Sequence, residues 1–196
     1  MQKPIFPMKC LRVTQGELST YSHAGSLAMD FGGVDSGVDK LYCPCDMVVK
    51  RVRNNANGEL YLQSTEPVLF ADGTIDYLVM LCMHDNVFNV KQGDIIKQGT
   101  YFYDEGGMGS GKAGTFANHV HVECSKGKRT LFNQIKNKQG TWVMSNQCSL
   151  YNVFWLNNTT VLNDGGYTWK TIEDEKTIDY KSFYEDVKKL IDKYNI

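Results

Sequence analysis

The sequence lacks an apolar run that could cross a bilayer, and it lacks an excess of positive charge. A membrane-spanning helix takes about 20 consecutive apolar residues, and no run in this chain approaches that length. With 21 Lys and Arg against 22 Asp and Glu, the formal net charge is −1. Recognition of phosphate backbones needs a basic surface. We therefore expect no membrane span and no nucleic-acid ligand.

A secretory signal is not evident in the first residues, MQKPIFPM, because they contain one Lys and no apolar core. Such signals carry an apolar segment of about 7–15 residues. We expect synthesis in the cytoplasm, with release or delivery by another factor if the protein acts outside the cell. The six cysteines are then expected to be reduced thiols. Cys43 and Cys45 are spaced more closely than an ordinary zinc pair.

Short apolar segments between Gly, Asn and Asp turns predict a mainly β fold. The chain has 18 Gly and 11 Tyr, which suit turns and pleated sheets respectively. A hairpin is predicted over 47–62 around an Asn-Gly turn, and the apolar run 75–83 is typical of a buried central strand. Helical spacing is convincing only at the C-terminus, where we predict one amphipathic helix. Its apolar positions are Phe183, Val187, Leu190, Ile191 and Tyr194.

The four histidines occur at positions that suit a shared site. His119 and His121 lie two residues apart in an alternating segment, and residues two apart on a strand point to the same face. His84 ends the buried strand pattern, while His23 precedes Asp30, a carboxylate between apolar neighbours that needs a partner. Alone, the His119–His121 pair is equally compatible with two surface histidines, a lone His84 is more often an ordinary core or edge residue, and Asp30 could cap a turn. Together they indicate a metallohydrolase.

A catalytic zinc ion takes about three protein ligands and keeps one position open for water. Two imidazoles and a carboxylate supply such a set, and the pKa of bound water then falls to about 7, which creates a nucleophile at neutral pH. The remaining imidazoles suit proton transfer and stabilisation of an oxyanion. The residue types by themselves leave open which histidine of the closing pair binds the metal.

Five motifs follow one another along residues 8–125. They are His23 with Asp30, the segment LVMLCMH that ends at His84, the turn pair VKQGDIIKQG, the glycine loop GGMGSG and the closing segment NHVHVE. In order, type and approximate spacing they resemble the lysostaphin-like (LytM-type) zinc endopeptidases, which hydrolyse the peptide part of bacterial peptidoglycan.

The resemblance implies one zinc ion per chain, bound by His23, Asp30 and His121. It implies further that His119 acts as general base and that His84 helps to stabilise the transition state. The fold of the family is an antiparallel β-sheet groove of the duplicated-hybrid kind. With the C-terminal helix added, this is the fold class that we predict.

The carboxylate ligand departs from the pattern of the family. Many members place it four residues after the first histidine, whereas Asp30 follows His23 by seven positions. Longer gaps occur in relatives that have a loop inserted at this point. Asp35 and Asp39 are the weaker alternatives for this ligand.

Glu123 and the glycine loop complete the set of candidate residues. Glu123 lies two positions after His121 and is expected to support that ligand without binding the metal. The loop resembles a phosphate-binding loop, but Ala113 stands where such loops need Ser or Thr after the Lys. We interpret it as a loop beside a peptide-binding groove, because a glycine backbone can approach an extended substrate closely. Its glycines in the predicted groove are Gly106, Gly107, Gly109 and Gly111.

These features predict a bacteriolytic metalloendopeptidase that hydrolyses peptidoglycan stems or cross-bridges, in the manner of a phage endolysin. Residues 1–149 are its predicted catalytic domain, and 150–196 are a C-terminal extension packed on that domain or appended to it. One alternative is a non-catalytic peptidoglycan-binding or activator module of the same fold, and another is a histidine phosphocarrier. The bond cleaved, the host range, the oligomeric state and the role of the extension stay open.

Overall fold

The computed structural model describes residues 1–54, 57–172, 184, 187–189 and 191. Over these residues the chain forms short strands, the 3₁₀ helix Leu150–Asn152 and helical positions near the C-terminus. In chain order the strands are β1 (Cys10–Gln15), β2 (Met29–Phe31), β3 (Lys40–Tyr42), β4 (Met47–Arg53), β5 (Glu59–Ser64), β6 (Val68–Leu69), β7 (Ile75–Asp76), β8 (Leu78–Met83), β9 (Ile95–Ile96), β10 (Tyr101–Asp104), β11 (Val120–Lys126), β12 (Gln134–Lys136), β13 (Trp142–Met144), β14 (Gln147–Cys148), β15 (Trp155–Leu156), β16 (Thr160–Asn163) and β17 (Lys170–Thr171).

One large sheet organises the molecule. Its strand order is β16–β1–β2–β11–β8–β5–β4–β9, with β14 also paired to β11. Neighbouring strands run antiparallel, apart from the parallel pair of β1 with β16. A mainly β chain built on an antiparallel sheet confirms the predicted fold class.

The predicted hairpin is formed by β4 and β5, which pair antiparallel with Met47 opposite Ser64. In its turn Gly58 has a φ of +60°, a conformation that glycine adopts without steric cost. A Cβ atom on Gly58 would lie 2.3 Å from the carbonyl oxygen of Asp85. Gly58 is therefore packed tightly against Asp85, which follows β8.

β8 is the central buried strand that the apolar run predicts, but it is shorter than the run. All six of its residues are buried, and it lies between β11 and β5. The Asp76 carboxylate accepts a hydrogen bond from the amide of Tyr77. That amide is thereby taken out of the sheet pattern, and Ile75, which is 56% exposed, belongs to the separate β6–β7 pair.

Residues 150–172 contribute to the same hydrophobic core as the main sheet. Phe154 and Trp169 are buried, and both rings pack edge-to-face on Phe6. β16 extends the sheet alongside β1. The described part of the C-terminal extension is thus packed on the rest of the chain.

Of the predicted terminal helix, residues 184, 187–189 and 191 are helical, and its other positions lie outside the described residues. No helix in the described part of the chain has the length and hydropathy of a membrane span. All six cysteines are free thiols.

Candidate metal centre

The three predicted metal ligands come from two strands and one loop. Asp30 on β2 lies directly opposite His121 on β11, and opposed residues of an antiparallel pair place their side chains on the same face. His23 reaches this face from the loop that precedes β2. That loop turns at Gly25, whose φ is +68°. The turn accounts for the seven-residue gap between the first two ligands.

The side-chain atoms of these residues converge on one point. His23 Nε2 lies 3.3 Å from Asp30 Oδ1, and His121 Nδ1 lies 2.9 Å from the same oxygen. The two nitrogens are 3.2 Å apart. The alternative carboxylates, Asp35 and Asp39, accept hydrogen bonds from backbone amides of their own loop. The structure thus brings Asp30 into the group of potential metal ligands.

Hydrogen bonds behind the ligand atoms determine where the lone pairs point. His23 Nδ1 lies 3.1 Å from the carbonyl oxygen of Gly16. Because a carbonyl only accepts, this ring carries its proton at Nδ1 and presents a lone pair at Nε2. His121 Nε2 lies 3.3 Å from Glu123 Oε1, which in the same way leaves a lone pair at Nδ1. Two imidazole lone pairs and a carboxylate oxygen face one another, and this arrangement needs a cation or a proton between them.

The electrostatics of the cluster favour positive charge. Burial lowers the pKa of His121, but the hydrogen bonds and charges of Asp30 and Glu123 outweigh it and raise that pKa to about 10. Burial raises the pKa of Asp30, yet its bonds to His121 and His23 hold that pKa well below the usual range. A divalent cation meets the same demand. Two neutral imidazoles and one carboxylate form a ligand set that zinc accepts, so these residues fit a zinc ion.

Glu123 is fully buried and its carboxylate is surrounded by donors. A carboxylate behind a ligating histidine fixes the tautomer and the orientation of the ring. These contacts are those expected of a residue that orients His121. The donors are His121 Nε2 at 3.3 Å, Gln134 Nε2 at 2.6 Å, the Met144 amide at 2.5 Å and Gln147 Nε2 at 2.6 Å.

A second pair of imidazoles lies beside the ligands. The rings of His84 and His119 have their centroids 4.4 Å apart. Their Nδ1 atoms lie 2.8 Å from the Met108 carbonyl oxygen and 2.7 Å from the Ala117 carbonyl oxygen respectively. Each neutral ring therefore keeps a lone pair at Nε2. Burial, reinforced by His119, lowers the pKa of His84 to about 4.

The backbone of His84 is held in a conformation that side chains rarely adopt. Its φ is +92°, and such a residue costs about 1–3 kcal/mol. The His84 amide donates to the carbonyl of Asn57 at 2.7 Å, and its carbonyl accepts from the amide of Met108 at 3.0 Å. These bonds fix the ring at the end of β8, where it meets His119.

The four histidines and Asp30 lie in a groove of about 910 Å³. An extended peptide can lie in an open groove of this size, and exposed rings on its walls offer apolar contacts to such a ligand. The exposed aromatic residues that line it are Tyr21, Phe116 and Trp142.

The glycine loop packs behind His84, and its predicted place beside a bound peptide stays a prediction. Among the described residues, Phe116 and the two that follow it line the groove, and the four predicted glycines do not. A Cβ atom on Gly106 would lie 2.3 Å from the His84 carbonyl oxygen, and one on Gly107 would lie 2.3 Å from that of Phe116. These glycines allow the loop to pack closely behind His84. The four glycines predicted for the groove are Gly106, Gly107, Gly109 and Gly111.

No motif in the sequence points to the residues that hold the His23 loop. The hydroxyl of Tyr167, from the C-terminal extension, accepts a hydrogen bond of 3.0 Å from the amide of Glu17. The same hydroxyl packs on Gly16, where a Cβ atom would lie only 2.5 Å from it. Gly16 in turn supplies the carbonyl that orients His23. No local pattern signals this contact, because Tyr167 and Glu17 are 150 positions apart.

Comparison with known proteins finds a relative in a bacterial virus. The chain is 31% identical over 166 residues to morphogenesis protein 1 of Bacillus phage B103. The match covers 85% of this chain but 43% of the relative, so the chain spans less than half of that protein's length. No protein-family model matches the sequence.

Several solved structures are similar to this chain. A zinc-containing peptidase from Vibrio cholerae has a TM-score of 0.43 at 19% identity, over 62% of this chain and 35% of that one. The lysostaphin catalytic domain from Staphylococcus simulans has a TM-score of 0.40 at 20% identity, over 59% and 79%. A SpoIIQ–SpoIIIAH pore-forming complex gives 0.48 at 15% identity, over 91% and 98%. The chemistry of this chain has to be inferred from its own residues.

Proposed function

We propose that the protein is a zinc-dependent endopeptidase that hydrolyses peptide bonds in bacterial peptidoglycan. The observation that carries the proposal is the convergence of His23 Nε2, Asp30 Oδ1 and His121 Nδ1 on one point. A second pair of imidazoles, His84 and His119, lies beside that point. Metal-assisted hydrolysis of a peptide requires a set of metal ligands, a proton acceptor beside it and a groove that admits the peptide.

His119 is the general base of this reaction. A zinc ion on the three ligands would supply Lewis-acid chemistry, polarising the scissile carbonyl and making water more acidic. Nε2 of His119 accepts the proton of the attacking water, because its Nδ1–H is directed to the carbonyl of Ala117. The same nitrogen then donates that proton to the leaving amine.

The role of His84 depends on its protonation state. Its Nδ1–H is directed to the carbonyl of Met108, so the neutral ring has no proton at Nε2 with which to donate to an oxyanion. Donation from Nε2 requires the protonated ring, which carries a proton on each nitrogen. The transition-state role that the resemblance implies for His84 therefore belongs to its protonated form.

The test measures zinc content and hydrolysis of purified cell walls together. His121→Ala is expected to lose both, because it removes a ligand. His119→Ala should keep its zinc and lose roughly 10²–10⁴-fold in rate, the usual contribution of a general base. Asp30→Asn should lower zinc content, whereas the matched variant Asp35→Asn should behave like wild type, because Asp35 lies outside the ligand group.

The other outcomes separate the competing functions. Full activity of His119→Ala would contradict its assignment as the base. Zinc binding without clearing of walls from several bacterial classes would favour a non-catalytic peptidoglycan-binding or activator module, which a wall-binding assay then tests. Metal-independent phosphorylation of His84 or His119 by a donor protein would favour a histidine phosphocarrier.

The setting proposed for this activity is infection or lysis by a phage. A relative in a Bacillus phage that is named a morphogenesis protein supports such a setting. The enzyme would be made in the cytoplasm and reach the wall after lysis, as an endolysin does, or through delivery by a partner. Accumulation of the protein in the medium of intact infected cells would contradict release by lysis.

A further inference from the structure

Two arginines on β4 line the groove beyond the metal ligands. Arg53 Nη1 donates to Glu59 Oε2 at 2.9 Å, and Arg51 Nη1 donates to the carbonyl oxygen of Phe132 at 2.7 Å. Within the part of the chain that the structure describes, each guanidinium makes no other hydrogen bond. Each is thus anchored through one nitrogen and has further N–H donors for a ligand.

The strand register places these arginines on the same face as the metal ligands. His121 lies opposite Met83 on β8. The register of β5 with β8 brings Glu59 level with Met83, and Glu59 lies opposite Arg53 on β4. Met83, Glu59 and Arg53 all line the groove. A row of side chains therefore runs across the sheet from the metal ligands to the arginines.

The dimensions of the sheet set the distance that a substrate would cover. β11 and β4 are separated by three strand spacings, or about 14 Å at ~4.8 Å for each spacing. An extended peptide advances about 3.3 Å per residue. A peptide that lies across the strands would therefore place a residue beside the arginines about four positions from the bond at the metal.

The charges around the two arginines favour binding of an anion. Glu59 balances one of the two guanidinium charges, and Arg51 has a neutral carbonyl as its partner, so the group carries a net positive charge. Guanidinium groups bind carboxylates with two parallel hydrogen bonds, which adds geometric selectivity to the charge.

We propose that Arg51 and Arg53 bind a free carboxylate of the peptide substrate, about four residues from the cleaved bond. This rests on the proposed peptidase function and narrows its substrate. A stem peptide with free carboxylates can bind the two arginines, whereas a glycine bridge has no side-chain carboxylate. The two arginines are specificity-determining residues that act at a distance from the reacting atoms.

The test compares two synthetic stem peptides that differ only in carrying free carboxylates or carboxamides. Their dissociation constants are measured by calorimetry on the zinc-loaded His119→Ala chain, and kcat/KM is measured on zinc-loaded chains with His119 intact. The acidic peptide should bind about tenfold more tightly, as expected for hydrogen bonds between charged groups. The double variant Arg51→Gln, Arg53→Gln should bind the acidic peptide about tenfold more weakly and bind the amide peptide as tightly as before.

Two further variants control for charge and folding. Lys91→Gln removes an exposed positive charge outside the groove and should keep the preference. Arg51→Gln alone preserves the Arg53–Glu59 pair and should lose part of the preference at unchanged zinc content, with cooperative unfolding retained.

Equal binding of the two peptides to the chain with both arginines would overturn the carboxylate site, as would a preference that survives in the double variant. Failure of the peptidase proposal gives a different result. In that case neither peptide is cleaved, while the difference in dissociation constants and its loss in the double variant still report on the arginines.

Discussion

Glu105 places a carboxylate in the interior with no hydrogen-bond partner for either oxygen among the described residues. The residue is 1% exposed, and burial raises the pKa of Glu105 from 4.5 to about 7, in spite of the backbone of Asp39 and the charge of Arg12, which lower it. Between those two values the folded chain keeps a proton that the unfolded chain has lost. The free energy of unfolding therefore falls as pH rises across this window.

Glu105→Gln is expected to stabilise the protein at pH 8 by about 1–3 kcal/mol relative to wild type, since one pKa unit corresponds to about 1.4 kcal/mol. At pH 4.5 the two chains should differ little, because the folded wild type is then neutral at this position. Urea denaturation at both pH values measures the difference. Glu66→Gln, at an exposed position, is the control. An equal effect of Glu105→Gln at both pH values would show that its charge is not responsible.

At the scale of single residues, the sequence identified the potential metal ligands but not what surrounds them. His23, Asp30 and His121 are recognisable because their types and order are distinctive. The gap of seven residues between His23 and Asp30 still left two other carboxylates as alternative ligands. The loop that turns at Gly25 explains that gap. The donors around Glu123 come from the segment after β11, and their approach depends on long-range packing that no local pattern encodes.

The glycine loop shows why an element can be located from sequence while its contacts cannot. Runs of glycine indicate close approach of a backbone to something, and a substrate was the expected neighbour. In the structure the neighbours of Gly106 and Gly107 are backbone atoms of His84 and Phe116. The hairpin of β4 and β5 was easier to predict, because its turn and its pairing are adjacent in sequence.

Gly107→Ala is expected to displace the loop, because the new Cβ atom would lie 2.3 Å from the Phe116 carbonyl oxygen. Overpacking of this kind costs about 1–3 kcal/mol. Wall hydrolysis should also fall, since Met108 in the same loop accepts the His84 hydrogen bond. Thermal unfolding and hydrolysis rate are measured together. Gly37→Ala, which meets only the side chain of Asp35, should change neither, and unchanged values in Gly107→Ala would contradict this account of the loop.

At the scale of the whole molecule, residues 150–172 connect the core to the metal centre. Tyr167 holds the loop that carries His23, because its hydroxyl accepts a hydrogen bond from the Glu17 amide. Phe154 and Trp169 pack in the core beside Phe6. The sequence left the role of this segment open, because its partners lie at the opposite end of the chain. The division into a catalytic domain of 1–149 and an extension stays a prediction.

A chain that ends at residue 149 provides the test of that division. Loss of Phe154 and Trp169 alone removes two large core side chains, each worth about 3–5 kcal/mol when replaced by Ala, from a total stability of about 5–15 kcal/mol. We expect chain 1–149 to show no cooperative thermal unfolding by circular dichroism and to bind no zinc.

Trp169→Ala in the full chain is the milder companion variant. It should lower the free energy of unfolding by about 3–5 kcal/mol while the chain still binds zinc, because Tyr167 keeps its bond to the His23 loop. If chain 1–149 instead unfolds cooperatively near the temperature of the full chain and retains zinc, residues 1–149 form an autonomous domain. The contacts of Tyr167 and Trp169 are then dispensable for both fold and site.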